Sequence, residues 1–177
     1  MVIEKQDLVN WKWESKESSI IVDEWKIRAV FNHIEQELAV RLPDEYKNFL
    51  LLTDDQGPWF KDDDECYFLA KYNHATMVVM MSTFFSSEGV IDYTKLLQES
   101  IYDHRTLLPN GLIVIACDYD DDADAYLIYD VREDSATYQH IFHWRYYVDN
   151  LIVGDGLGLA ARSLKEFLHM PTSEDKL

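Results

Sequence analysis

The sequence has no long apolar run. A run such as Met77–Met81 is far shorter than the roughly 20 residues that a membrane-spanning helix needs. We therefore expect no membrane span, and we interpret this run as a buried strand. Residues 1–19 also lack a basic segment leading into an apolar stretch, because charged side chains recur throughout them. A secretory leader is not expected, and the sequence predicts a cytoplasmic protein.

Cysteine is scarce, and so are basic residues. The two cysteines, Cys66 and Cys117, lie inside apolar strand-like segments, so we predict free thiols in the core and no disulfide. The 16 Lys and Arg residues are outnumbered by 33 Asp and Glu residues, which gives a formal net charge of −17. Such a charge repels phosphate backbones and anionic lipids and attracts basic proteins. Direct binding to nucleic acid or to a membrane surface is therefore disfavoured.

The chain has ample material for one core. Its 177 residues are 47% hydrophobic and 14% aromatic, which suits a single domain. Periodicity predicts helices at about 24–40, within 42–58, at 92–102 and at 163–168, and strands at 66–72, 76–85, 113–117, 125–131 and 138–147. This order predicts an α+β fold whose largely antiparallel sheet is packed against helices. We place the domain at 24–170, with residues 1–23 as an N-terminal arm or edge strand and 171–177 as a tail.

Local signals predict where the helices begin and end. Asp23 is a suitable N-cap for the first helix, and Pro43 suits the first turn of the second. The pair at 57–58, Gly-Pro, is expected to stop that second helix. Ser163 and Glu166 match a capping box at the start of the last helix. Trp11 and Trp13 either pack on the sheet or anchor a partner, and packing is favoured because large aromatics bury much apolar area.

The most unusual stretch of the chain is acidic. Residues 118–126 read DYDDDADAY and join two apolar strands, so we predict that they form the tip of a β-hairpin. A second acidic stretch precedes the strand predicted at 66–72. The candidate partner-binding residues are Asp118, Asp120, Asp121, Asp122 and Asp124, with Asp62, Asp63, Asp64 and Glu65 as a second group.

Three interpretations of the hairpin tip stay open. A calcium loop of the EF-hand type beginning at Asp118 fails at its sixth and twelfth positions, which are Ala123 and Tyr129, although a weak cation site is still conceivable. A solvated tip without a function is also reasonable, since unit charges 4 Å apart in water repel by only about 1 kcal/mol. The third interpretation is a surface that faces a basic partner. We predict no metal and no cofactor.

Other candidate sites are weaker. His140 and His143 lie three apart in a predicted strand, which puts them on opposite faces and excludes a shared metal site. Cys117 has no local signature of a catalytic nucleophile. The stretch at 154–159, GDGLGL, lacks the last small residue of a dinucleotide-binding loop, and we interpret it as a flexible turn before the last helix. We therefore predict no catalytic residues.

Three stretches of the chain resemble one known family. LPDEYKNFLLLTDDQGP at 42–58 looks like its Leu-Pro helix, LPNGLIVIACDYDDDADAYLIYD at 108–130 like its central hairpin, and LAARSLKEFL at 159–168 like its terminal helix. On these stretches the chain resembles the SUKH superfamily, which includes the fungal cell-wall assembly regulator and many bacterial immunity proteins of polymorphic toxin systems. The resemblance covers about 24–170. It implies an α+β domain that binds other proteins and performs no catalysis.

The acidic charge and the resemblance together favour one function. We expect an immunity protein that binds and blocks a basic toxin domain, most simply a nuclease, because nucleases are basic where they grip phosphate. The main alternative is an intracellular regulatory scaffold of the cell-wall assembly regulator type. A further alternative is a hydrolase that uses a carboxylate-bound metal.

Overall fold

The computed structural model describes residues 2–14, 24–99, 104–118 and 125–177, apart from the side chains of four of them, Glu24, Asp63, Ser82 and Asp118. These residues form four α-helices and eight β-strands, and all strands belong to one antiparallel sheet. The helices are α1 (Glu24–Glu37), α2 (Asp44–Leu52), α3 (Ser87–Gln98) and α4 (Leu164–Leu168). The strands are β1 (Trp11–Lys12), β2 (Trp59–Phe60), β3 (Tyr67–Lys71), β4 (Thr76–Phe84), β5 (Leu112–Asp118), β6 (Ala125–Asp130), β7 (Ile141–Arg145) and β8 (Leu157–Ala161). The predicted single-domain α+β fold is confirmed.

The sheet curls until two of its strands meet. Its order is β1-β2-β4-β3-β8-β7-β6-β5, and β5 pairs in addition with β4. The predicted hairpin of β5 and β6 is confirmed, since Cys117 pairs with Tyr126 and Leu112 with Asp130. Strands β4, β3, β8, β7, β6 and β5 pair in turn, and β5 pairs again with β4, so these six strands form a closed ring. The ring has an inner and an outer face, which pack against different side chains.

The two faces of the sheet bury separate apolar clusters. The larger cluster contains the aromatic side chains of Tyr46 and Phe49 from α2, Phe84 from β4 and Phe167 from α4, all 1% exposed or less. The smaller cluster lies on the outer face of β5 to β8, where alternate residues point away from the larger one. Its members are Leu97, Leu108, Leu112, Val114, Ile128, Phe142, Trp144 and Leu157.

The N-terminal segment is part of the larger cluster. β1 lies at the edge of the sheet and pairs with β2, and Trp11 within it is only 1% exposed. The Trp11 indole Nε1 donates a hydrogen bond to the carbonyl of Leu168 at 3.0 Å. Trp13 is half-buried against the same cluster. Packing, the favoured interpretation of these two tryptophans, is confirmed.

The junction between α2 and α3 differs from the sequence prediction. α2 ends at Leu52, before Gly57 and Pro58, because Asp54 and Asp55 adopt positive φ angles of 52° and 55°. The Asp55 carboxylate then accepts hydrogen bonds from the amide and the hydroxyl of Ser87, at 2.8 and 2.6 Å. α3 therefore begins at Ser87, five residues before the predicted start. A left-handed turn of two aspartates replaces the predicted Gly-Pro stop.

The interpretation of residues 154–159 as a turn is wrong for its second half, because residues 157–161 are a strand. They form β8, which pairs with β3 and β7. Glycine is required inside this strand because a Cβ at Gly158 would lie 2.4 Å from ring carbons of Tyr72. Residues 154–156 do form a turn, in which Gly154 has a φ of +89°. Close packing therefore explains the glycine that sequence reasoning assigned to flexibility.

The predicted capping box at α4 is present, but one of its two backbone donors is shifted by one residue. The Ser163 hydroxyl accepts a hydrogen bond from the Glu166 amide at 3.0 Å, as predicted. The Glu166 carboxylate accepts from the amide of Arg162 at 2.6 Å, one residue before the expected donor. Both bonds satisfy amides that the start of a helix leaves without a partner. At the start of α1, the predicted N-cap Asp23 lies outside the described residues.

Two further expectations need correction or refinement. The run Met77–Met81 is not a fully buried strand, because its side chains alternate and Val78 is 47% exposed. The two cysteines, both among the described residues, do not form a disulfide. Cys66 is buried as predicted, whereas Cys117 is only half-buried.

The buried carboxylate of Asp7 connects the N-terminal segment to α4 and to His169, and we expect this contact to be sensitive to acid. Asp7 accepts hydrogen bonds from the Glu4 amide at 2.7 Å and from His169 at 2.8 Å, and it pairs with Lys165 at 3.1 Å. Burial raises the pKa of Asp7, but these partners outweigh burial and hold the pKa below its ordinary value of 3.8. A lowered pKa adds stability above the ordinary value and loses it as the pH falls through the folded-state value.

We expect Asp7→Asn to lower the free energy of unfolding by about 1–2 kcal/mol at pH 5. The difference from the unmodified chain should shrink as the pH falls from 4 to 2.5, because the carboxylate that the variant lacks becomes protonated. Urea denaturation of both proteins at several pH values measures this difference in the free energy of unfolding. Asp175→Asn, which changes an exposed carboxylate, is the control. A difference that stays constant over this pH range would contradict the assignment.

Candidate partner-binding surface

The second acidic stretch lies directly before β3. A 3₁₀ turn at Asp63–Glu65 is capped by the Asp62 carboxylate, which accepts from the Asp64 amide at 3.0 Å. Asp62 and Asp64 are exposed, whereas Glu65 is half-buried and pairs with Lys176 at 3.2 Å. Two of the four predicted contact charges in this stretch therefore present carboxylates to solvent, and a third is partly neutralised by the C-terminal segment. The side chain of Asp63 is outside the description.

The first acidic stretch is described only where it begins. β5 ends at Asp118, whose backbone faces Met81 of β4. The remaining predicted contact residues of this stretch lie outside the described residues, namely Asp120, Asp121, Asp122 and Asp124. Their roles, as well as the alternative of a weak cation site at this tip, stay predictions.

The strand register brings the end of one acidic stretch near Asp118, the first residue of the other. The amide of Met81 donates to the carbonyl of Cys66 at 2.9 Å, and on its other side Met81 faces Asp118. Since neighbouring strands lie about 4.8 Å apart, the backbones at Cys66 and Asp118 are separated by about 10 Å. The sequence could not predict this, because the two positions are joined only through the pairing of β4 with both β3 and β5.

Between these stretches lies an apolar pair of strands. In the hairpin of β3 and β4, Tyr67 pairs with Met80 and Leu69 pairs with Val78. These four side chains alternate with the buried residues of the same strands and therefore point to the outer face of the sheet. Val78 is 47% exposed, and the other three are half-buried. Sequence reasoning missed this surface because it assigned the whole Met77–Met81 run to the core.

The histidines and the cysteine considered for chemistry do not assemble. His143 is buried in β7, where its Nδ1 lies 2.7 Å from the Tyr72 hydroxyl, and His140 precedes the strand. The register places Cys117 across from Trp144, which is four residues beyond His140. At about 3.3 Å a residue, Cys117 and His140 are about 13 Å apart along the strands. A nucleophile and its base need direct contact, so this pair is excluded.

The buried carboxylates of the larger cluster hold backbone groups in place. Glu45, only 1% exposed, accepts from the amides of Leu164 and Lys165 at 3.0 and 3.2 Å and from the Tyr129 hydroxyl at 3.3 Å. Burial, followed by the nearby Glu45 charge, raises the pKa of Tyr129. The carboxylate therefore caps the start of α4, and its oxygens are occupied by donors of the protein itself.

Asp130 plays a similar part in the turn after β6. It is fully buried and accepts hydrogen bonds from Arg132, Ser135 and Thr137 at 2.7–2.9 Å. Burial raises the pKa of Asp130, but these hydrogen bonds outweigh burial and the pKa lies below its ordinary value. An ionised carboxylate with its oxygens so engaged is suited to fixing a turn and not to exchanging protons with a substrate.

The comparison with known families decides the relationship. The model of the SMI1 / KNR4 family (SUKH-1) matches residues 28–170. The chain belongs to this SUKH-1 family. The match spans β2 to β8 and all helices except the first turn of α1, so it includes the hairpin of β3 and β4 and both acidic stretches. No curated protein and no solved structure is similar enough to match the chain.

Two further findings concern the described residues only. None of their helices combines the length and the apolar character needed to cross a membrane. Within residues 2–14, 24–99, 104–118 and 125–177, no three His, Cys, Asp or Glu side chains are grouped so that they could hold a metal ion. The SUKH-1 chain thus presents, in its described part, an acidic and apolar surface as its clearest candidate site.

Proposed function

We propose that this SUKH-1 protein is a non-enzymatic immunity protein that binds a cognate toxin domain and blocks it. The observation that carries the proposal is the register at Met81, which sets the Asp62–Glu65 stretch beside the start of the Asp118–Asp124 stretch. The stretch that holds the exposed Asp62 and Asp64 thereby lies at the same end of the sheet as Asp118, where the other acidic stretch begins. The matching partner is a cationic protein domain.

A nuclease domain fits this surface best. Its substrate groove is basic because it binds phosphates, and a rigid anionic surface competes for the same groove. Opposite charges also steer the two proteins together and raise the rate of association by a factor of 10 to 1,000 at low salt. The net charge of −17 acts in the same direction over the whole molecule. A cytoplasmic location, where such a toxin would act, is part of this proposal.

The charge proposal predicts a change in association rate. Asp62→Asn/Asp64→Asn keeps the hydrogen-bonding shape of the turn and removes two exposed charges. The toxin domain of this proposal is the one encoded by a gene next to the gene of this chain, called the neighbouring toxin below. We expect the double variant to slow association with it by about tenfold at low salt, with a much smaller effect at 0.5 M salt. Stopped-flow mixing or surface plasmon resonance measures the rate.

A variant with the same change in charge provides the control. Glu133→Gln/Asp134→Asn removes two exposed charges from the turn after β6, at the opposite end of that strand from the acidic tip. Co-expression with the neighbouring toxin must also rescue cell growth when the chain is unmodified. Equal association rates for the two double variants would refute the acidic contact surface. If the chain neither rescues growth nor binds the neighbouring toxin, the regulatory scaffold replaces the immunity protein as the proposed function.

A further inference from the structure

We infer that the toxin domain docks on the outer face of the hairpin of β3 and β4, with Tyr67, Leu69, Val78 and Met80 as the apolar centre of the contact. This inference rests on the proposed function and adds the surface that determines how long the complex lasts. The four side chains are called the hairpin face below.

The hairpin face is apolar where a solvated sheet face is usually polar. Its two directly opposed pairs, Tyr67 with Met80 and Leu69 with Val78, place four apolar side chains side by side. Val78 remains 47% exposed although it lies in the middle of a nine-residue strand. Contiguous exposed apolar side chains with polar borders are typical of protein contact sites.

The same outer face is covered further along the sheet. Lys71 of β3 pairs with Leu159 of β8, and beyond it the outer face continues into the smaller apolar cluster. There Leu97 of α3 and Leu108 cover the strands. Leu69 and Val78 belong to neither cluster among the described residues, whereas Tyr67 and Met80 are half-buried and pack partly against the larger cluster. Within the described part of the chain, the cover therefore stops before Leu69 and Val78, which leaves this part of the hairpin face available to a partner.

The charges around the hairpin face select the occupant. Exposed Asp62 and Asp64 lie just before Tyr67 in the chain, and β5 brings the backbone of Asp118 beside the neighbouring Met81. The exposed Lys71 lies at the other end of the face, so the acidic side chains belong to its Tyr67 end. Protein contact sites commonly have an apolar centre that is depleted of charge and a polar rim. The matching occupant is a basic domain whose groove holds an apolar side chain between Lys and Arg residues. The apolar side chain would contact the centre of the hairpin face, and the Lys and Arg residues would contact its acidic rim. Met80 can adapt to the shape of such a side chain, because methionine is flexible and polarizable.

The test separates the apolar centre from the acidic rim. Val78→Thr keeps the β-branched shape that the strand favours and adds a hydroxyl that a dry contact would leave without a partner. We expect the complex with the purified neighbouring toxin domain to dissociate about tenfold faster, with an association rate within twofold of the unmodified value. Val2→Thr is the matched control, since Val2 is exposed and lies near Lys165 of α4, on the other side of the sheet.

Three results would overturn the inference in distinguishable ways. If Val78→Thr and Val2→Thr dissociate at the same rate from a toxin that the unmodified chain binds, the hairpin face is not the contact, while the immunity function stands. If the unmodified chain binds no neighbouring toxin, the proposed function fails and the inference fails with it. If Val78→Thr instead converts a dimer of the chain alone into a monomer, as sedimentation would show, the face joins two copies of this chain. Thermal unfolding of both variants confirms that they fold.

Discussion

Replacing Trp11 with alanine is expected to lower the free energy of unfolding by about 4 kcal/mol. The indole is 1% exposed, and its ring centroid lies 5.2 Å from those of both Phe60 and Phe84. Its removal leaves a cavity between β1, β2 and β4. It also leaves the carbonyl of Leu168 without the indole donor of its hydrogen bond. Since small domains are stable by only about 5–15 kcal/mol, this loss removes a large share of the total stability.

A second tryptophan provides the control for this measurement. Trp25 in α1 is 76% exposed, so Trp25→Ala should cost less than about 0.5 kcal/mol. Guanidinium denaturation followed by far-ultraviolet circular dichroism compares the two variants without depending on tryptophan fluorescence. Trp11→Phe should fall between them, because it keeps a ring in the cluster and loses the hydrogen bond. Equal stabilities of the Trp11 and Trp25 variants would show that the N-terminal segment does not contribute to the core.

The second large effect is expected from Glu45→Ala, which should lower the free energy of unfolding by about 3 kcal/mol. The substitution removes the acceptor of the buried Leu164 amide, of the partly buried Lys165 amide and of the buried Tyr129 hydroxyl. An unsatisfied buried donor costs more than the net value of the bond it has lost. Since α4 also carries Phe167 into the larger cluster, the loss should affect the whole fold and not only the helix.

The neighbouring acidic residue makes the comparison specific. Asp44→Ala removes an exposed carboxylate from the same turn of α2 and should cost less than about 1 kcal/mol, the usual value for a charge near the start of a helix. Glu45→Gln, which keeps the volume and one acceptor oxygen, should recover part of the loss. Urea denaturation of the three variants under one set of conditions measures these differences. A Glu45→Ala variant as stable as Asp44→Ala would contradict the capping role.

Local periodicity was sufficient for most of the fold. The spacing of Ile27, Ile34 and Leu38 predicted α1, and the apolar runs on either side of the acidic tip predicted the hairpin of β5 and β6. These signals are short-range, because a helix or a strand repeats its own pattern within a few residues. The Ser163 cap is equally local, and it was predicted with its correct donor, the amide of Glu166.

The missing parts depend on contacts between distant residues. β8 was missed because its glycines resemble a loop, and only the ring of Tyr72 explains why a side chain is excluded at Gly158. Glu45 and Leu164 are 119 residues apart in sequence, so the spacing of residues around Glu45 gives no sign of its partner. The candidate surface has the same limitation, since the sequence suggested two acidic stretches but not the register at Met81 that sets Asp118 near the end of the other stretch.

The contacts of Trp11 with Leu168 and of Asp7 with His169 bring the first and last described segments within hydrogen-bonding distance of each other. A domain whose first and last segments lie side by side can be inserted into a loop of a host protein with little change to the host structure. Copies of such a domain can also be joined in tandem by short linkers. The hairpin face and its acidic border are built from the middle of the chain, so such rearrangements would leave them intact.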